Sequence, residues 1–85
     1  MNNELKIFLA RSKIRLEVLK LLDKEPQIAS FLARKIKKHR EVISRIFLDL
    51  QRQKLAVCTN PGSASFRIYR ITAKGREMLR AFQKL

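Results

Sequence analysis

The side chains best equipped for chemistry crowd between positions 35 and 54. From Lys35 the chain reads Lys-Ile-Lys-Lys-His-Arg-Glu-Val-Ile-Ser-Arg-Ile-Phe-Leu, mixing cations, an imidazole, a carboxylate and a hydroxyl. At about 100° per residue, Ile43, Ile46, Phe47 and Leu50 share one side of a helix, while Glu41, Ser44, Arg45, Leu48 and Arg52 point the other way. An exposed helical face of this kind suits the edges of nucleic-acid bases. Arginine grips guanine with two hydrogen bonds, serine bonds either base type, and an apolar side chain meets the thymine methyl. The candidates on this face and at its start are His39, Arg40, Glu41, Ser44, Arg45 and Leu48. Glu41 has two roles open to it: accepting from a cytosine amino group, or pairing with Arg45 at i,i+4. The second is favoured, because a carboxylate facing a polyanion costs affinity. Lys35, Lys37, Lys38 and Arg52 suit phosphate neutralisation, which adds affinity without sequence information.

Other chemistry has little to work with. There is one histidine, His39, and one cysteine, Cys58. Structural zinc sites need four ligands, so no metal site is expected. Cys58 falls in an extended stretch, where a small buried hydrophobe is the expected role. Gly62 and Gly75 are the only glycines, so a glycine-rich phosphate loop is excluded. No enzyme activity, cofactor or small-molecule effector is expected.

The composition points the same way. The chain has 85 residues, a net charge of +13 and a pI near 11.0. Lys and Arg number 20 against 7 Asp and Glu, an excess of one sign that a merely solvated surface does not require. A polyanionic partner is expected, with DNA, RNA and an anionic membrane as candidates and nucleic acid foremost. The hydrophobic fraction of 46% supports a folded chain, and the length fits one domain over 1–85. One cysteine cannot form an internal disulfide, which favours a cytoplasmic protein. No apolar run approaches the ~20 residues of a membrane span, and the first residues are too mixed for a signal peptide.

The elements that must position these residues follow from periodicity. Leu5, Phe8 and Leu9 mark a helical extension within 1–11. Ser12 is placed to cap a helix running to position 23, with Ile14, Val18, Leu21 and Leu22 on one stripe and Pro26 beyond its end. A short helix over 28–36 carries Ile28, Phe31, Leu32 and Ile36. A third helix runs from Arg40 to about Gln53. The pattern then becomes extended over 55–59, turns through 60–65, and returns over 66–71. Thr72 is placed to cap a last helix from Ala73 to about Lys84. The fold class is α+β, mainly α: helices, a two-stranded hairpin, and a C-terminal helix.

Three stretches make the chain resemble the winged helix-turn-helix family of prokaryotic transcription regulators, of the ArsR/MarR-like type. Ser12-Lys-Ile-Arg15-Leu-Glu-Val-Leu-Lys-Leu-Leu22 is similar to that family's first helix. Leu32-Ala33 with Ile43-Ser-Arg-Ile-Phe-Leu-Asp-Leu-Gln-Arg-Gln-Lys-Leu55 is similar to its helix-turn-helix. Tyr69-Arg-Ile-Thr-Ala-Lys-Gly75 is similar to the signature that closes its wing. The chain departs from the pattern with Lys37 and Lys54 where glycine is common, and with Lys38 where an apolar residue usually stands.

The resemblance implies that 12–72 forms the helix-turn-helix and wing, and that the third helix enters the major groove of double-stranded DNA with His39, Arg40, Glu41, Ser44, Arg45 and Leu48 as its base-reading residues. It places Ser63, Ser65 and Arg67 of the wing on backbone or minor groove, and gives Arg15 a structural salt bridge. It also implies a homodimer through the terminal helices, with Leu5, Phe8, Leu9, Leu79, Phe82 and Leu85 as the candidate interface within 1–11 and 73–85. The function implied is a sequence-specific regulator, more often a repressor. Two other readings stay open. One is an RNA-binding or ribosome-associated winged helix, since basic residues occur on every helix. The other is a protein-interaction module, for which Glu41 and Leu48 speak.

Overall fold

A computed structural model describes residues 3–83. The elements in chain order are α1 (Asn3–Ala10), α2 (Lys13–Lys24), β1 (Gln27–Ile28), α3 (Ala29–Ile36), α4 (Arg40–Arg52), β2 (Ala56–Cys58), β3 (Ile68–Ile71) and α5 (Ala73–Gln83). The three strands form one antiparallel sheet in the order β1-β3-β2. This is the winged helix-turn-helix arrangement, mainly helical with a small sheet, that the sequence leads one to expect.

Local signals set most of the boundaries. The Ser12 hydroxyl accepts from the Arg15 amide at 3.2 Å, satisfying one of the orphan N–H groups at the start of α2. The Thr72 hydroxyl does the same for α5, accepting from the Gly75 amide at 3.0 Å. It also donates to the Lys54 carbonyl at 2.7 Å, so one side chain joins the start of α5 to the end of α4.

The ends of α3 and α4 explain the two lysines that stand where glycine is common. Lys37 has φ 58° and Lys54 has φ 63°, both in the left-handed region. Each belongs to a helix-ending turn. The Lys38 amide donates to the Ala33 carbonyl at 2.9 Å, and the Leu55 amide donates to the Leu50 carbonyl at 2.9 Å. A side chain in this conformation costs about 1–2 kcal/mol. The turn joining α3 to α4 is thus built at a cost, with a cation on its surface.

Gly75 is required where it stands. A Cβ there would run into the Leu55 carbonyl oxygen and the Ile71 side chain. The Leu55 carbonyl also accepts from the Thr72 amide at 3.0 Å, which closes α5 onto the base of the wing.

The core gathers Val18, Leu19 and Leu22 of α2, Leu32 and Ala33 of α3, and Ile43, Ile46, Phe47 and Leu50 of α4. Leu5 and Leu9 of α1, Leu55, Ala56 of β2, Tyr69 and Ile71 of β3 and Met78 and Leu79 of α5 complete it. The Phe47 and Tyr69 rings pack with centroids 4.6 Å apart, which fastens α4 to the sheet.

The structure corrects several expectations. Ile28, expected at the start of the helix over 28–36, instead forms a short strand with Gln27 that pairs with Ile68 and Tyr69, so the expected two-stranded hairpin is a three-stranded sheet; Gln27 is buried with its Nε2 donating to the Leu21 carbonyl at 3.3 Å. The wing strands are shorter than 55–59 and 66–71. Phe31 does not join the core but stands 56% exposed.

Of the candidate interface residues, Leu5, Leu9 and Leu79 are buried inside this chain, and Phe8 and Phe82 pack against its core. The terminal helices α1 and α5 touch each other, and α1 packs on α2. These faces are covered without a second copy, so they do not argue for one. Leu85 lies outside the described residues.

Candidate nucleic-acid interface

The outer side of α4 is a continuous open surface formed by His39, Arg40, Glu41, Ser44, Arg45, Leu48, Asp49 and Arg52. The helix presents it because its opposite side is committed to the core. All six base-reading candidates lie on this one surface. Leu48 is a large apolar side chain left 43% exposed in the middle of it.

The charges on this surface are largely unspent. Among the described residues the ion pairs are Arg15–Asp49 at 3.6 Å, Arg52–Asp49 at 3.5 Å and Arg76–Asp23 at 3.1 Å. Arg40 and Arg45 take part in none of them. The expected pairing of Glu41 with Arg45 is not formed, so both groups face solvent. Arg52 does pair with Asp49, but its side chain stays 77% exposed, and such a surface pair holds it weakly. Lys35, Lys37 and Lys38 are exposed along the end of α3 and the turn, beside the start of α4.

Arg15 behaves differently. It bonds the Phe8 carbonyl at 3.0 Å, lies 4.1 Å from the centre of the Phe8 ring, and reaches Asp49 of α4. One guanidinium thereby ties α1, α2 and α4 together, the structural role that the family resemblance implied for it.

The wing is organised by two side chains. Asn60 accepts from the Ile68 amide at 2.6 Å and donates to the Phe66 carbonyl at 2.8 Å, bridging the two sides of the loop. The Ser63 hydroxyl accepts from the Phe66 amide at 3.2 Å, and the Ser63 carbonyl accepts from Arg67 Nε at 2.9 Å. Ser63 is thus an organiser of the loop, and Ser65 and Arg67 are the exposed residues beside the tip. Cys58 is half-buried, with Sγ 3.6 Å from Asn60 Oδ1.

Between α4, the start of α3 and the wing lies a cleft of about 170 Å³. Ser30, Arg40, Ser44, Leu48, Ser65 and Arg67 line it, with Tyr69. The i, i+4, i+8 row Arg40–Ser44–Leu48 therefore borders both the open face of α4 and this cleft. One residue on from the lining Ser30 and Ser65, and not themselves in the lining, Phe31 of α3 and Phe66 of the wing are each 56% exposed, with ring centroids 6.3 Å apart. The sequence reading missed this pair, because Phe31 has the helical spacing of a core residue and Phe66 falls at the start of the expected strand over 66–71.

No three His, Cys, Asp or Glu side chains among the described residues come together in a way that could hold a metal ion. No helix among them is long and apolar enough to cross a membrane.

No model of a known protein family matches this sequence, and no curated protein sequence matches it significantly. Among solved structures, the chain is similar to the adhesin competence repressor AdcR from Streptococcus pyogenes, with a TM-score of 0.73 and 13% sequence identity. The match covers 92% of this chain and 62% of the AdcR chain, so this chain spans under two thirds of that protein's length. The likeness is one of fold.

Proposed function

We propose that this chain is a transcription regulator that binds double-stranded DNA, with α4 in the major groove and the wing against backbone or minor groove. The observation that carries the reading is the exposed row on α4. Arg40, Ser44, Arg45 and Leu48 face outward together, the two arginines are unpaired, and the wing's Arg67 stands alongside. Arg45 donating to a guanine discriminates by about 1–3 kcal/mol. Lys35, Lys37, Lys38 and Arg52 neutralise phosphates and make affinity fall with salt. Ser65 and Arg67 supply the wing contact, while Ser63 holds the wing in shape. The fold is shared with a protein described as a repressor, which supports repression by occupying a promoter. The setting is the cytoplasm, on the nucleoid. A two-fold dimer would space its half-sites by about 34 Å and must meet through surfaces other than the buried Leu5, Leu9 and Leu79.

One observation favours a second reading. Exposed cations also stand away from α4, at Lys13, Lys20 and Lys24 of α2 and at Lys74 and Arg80 of α5. Cations spread over many faces suit an RNA partner.

Selection from a random duplex pool at fixed moderate salt, with wild type and Arg45→Ala, tests the first reading. A recovered motif that relaxes at one base pair in the variant supports sequence-specific DNA binding. A motif recovered only from an RNA pool supports the second reading. No motif in either pool, with binding that merely weakens as salt rises, removes the sequence-reading role of α4.

A further inference from the structure

The duplex-binding reading gives the exposed aromatic pair Phe31–Phe66 no role, although it uses the arginines of the nearby cleft. Phe31 and Phe66 expose more than half of their surface, although each is large enough to have been a core residue. Their geometry is not casual. Both backbone polar groups of Phe66 are held by side chains, the amide by Ser63 and the carbonyl by Asn60. The ring is thus presented in a fixed place against Phe31.

The residues just before the two rings, Ser30 and Ser65, line the cleft, together with Arg40, Ser44 and Arg67. No carboxylate lines it. Arg67 is pinned through Nε to the Ser63 carbonyl, so its guanidinium is held at the cleft rather than sweeping through solvent. At about 170 Å³ the cleft is smaller than a drug-sized ligand site, which takes roughly 300 Å³ or more, and suits a single small polar unit. Its polar lining is two arginines, three serines and Tyr69, beside the apolar Ile28, Ala29, Leu48 and Ala64, which fits a phosphate with its sugar. The adjoining rings fit the flat face of a base, which stacks on aromatic side chains whatever its identity.

We propose that the cleft and the Phe31–Phe66 pair together bind one unpaired nucleotide of a DNA strand. Where the duplex is open, Arg40 and Arg67 turn from their contacts with paired DNA to hold the phosphate of the unpaired nucleotide, the serine hydroxyls hold the sugar-phosphate, and the base lies on the rings. A paired duplex cannot fill this site, because each base face is already covered by its neighbours in the stack. A bulge, a mismatch or a locally opened step can. The inference rests on the DNA-binding reading and adds to it a preference for duplex that is open at one position beside the wing.

The test uses the whole chain and two duplexes of one sequence, one fully paired and one with a single bulged 2-aminopurine. Binding is followed by anisotropy and by the fluorescence of the 2-aminopurine at fixed salt. Wild type is expected to bind the bulged duplex about tenfold more tightly and to quench its fluorescence, given typical base–aromatic stacking. The double variant Phe31→Leu/Phe66→Leu keeps apolar side chains at both places. It is expected to bind both duplexes with the affinity that wild type has for the paired one, with quenching lost and melting temperature unchanged.

Wild type that binds both duplexes equally, without quenching, overturns the inference and leaves the DNA reading standing. A double variant that weakens on both duplexes by the same factor also overturns it, making the rings a brace for the wing. Loss of a dimer in that variant, seen by sedimentation, would assign the rings to a second copy and overturn it too. Wild type that binds neither duplex removes the DNA reading itself, and the inference with it.

Discussion

Two arginine-bearing regions of α4's surroundings contrast sharply. Where α1, α2 and α4 meet, Arg15 is absorbed by the architecture: it bonds a carbonyl, covers a ring and pairs with Asp49. Along the outer side of α4, Arg40 and Arg45 have no such partners, and Glu41, one turn from Arg45, does not reach it. The apolar residues divide likewise. Leu5, Leu9 and Leu79 are covered, whereas Leu48, Phe31 and Phe66 are left in solvent. Of this chain's positive charge, Arg15 is spent on holding helices together, while Arg40 and Arg45 stay unpaired on the outer side of α4 with apolar surface beside them. Substitutions that separate stability from binding should follow that division.

The largest expected effect lies beneath both regions. Phe47→Ala removes a fully buried ring and its contact with Tyr69, and should lower stability by about 3–5 kcal/mol, measured by denaturant unfolding. In a chain of this size that is most of the available stability, and DNA binding should vanish with the fold.

Next is the contrast itself. Arg15→Gln should cost about 1–2 kcal/mol of stability in the same measurement, through the lost carbonyl bond and ring contact. It should leave the salt dependence of DNA binding unchanged. Arg40→Gln should do the reverse: stability within about 0.5 kcal/mol of wild type, and a slope of log affinity against log salt reduced by about 1. Equal effects on both quantities in both variants would erase the distinction between the regions.

Lys37→Gly sharpens it within a single residue. Glycine relieves the left-handed backbone and should raise stability by about 0.5–1 kcal/mol, while the lost cation should weaken DNA binding. Lys54→Gly relieves the same strain at the end of α4 and serves as the stability reference.

The smallest effect is expected at Glu41. Glu41→Gln removes a carboxylate from the binding side without breaking an ion pair, and should strengthen DNA binding a few-fold at low salt, less as salt rises.

Much of this division was legible in the sequence. Ile43, Ile46, Phe47 and Leu50 define the buried side of α4 by spacing alone, and so define the outer side by subtraction. Ser12 and Thr72 mark helix starts because their hydroxyls have a definite use there. Lys37 and Lys54 stood out as departures, and both prove to be the left-handed positions. What was hidden depended on which faces meet. Spacing shows that α1 and α5 have apolar sides, but not that these find cover within the chain. Phe31 has core spacing yet faces solvent, because Leu32 and Ala33 take the core side of a helix only eight residues long. A strand of two residues such as Gln27–Ile28 has no period to detect; only its partner, β3, makes it a strand.

That short strand has a mechanical consequence. Because β3 pairs with β1 on one side and β2 on the other, the wing and the lead-in to α3 share a single central strand. The base of the wing is thereby fixed to the lead-in of α3 through Ile68 and Tyr69, which sets where the wing starts relative to α4. A duplex that engages both α4 and the wing must adjust its own groove width or curvature to fit. Base pairs that no side chain touches would then be selected by their stiffness.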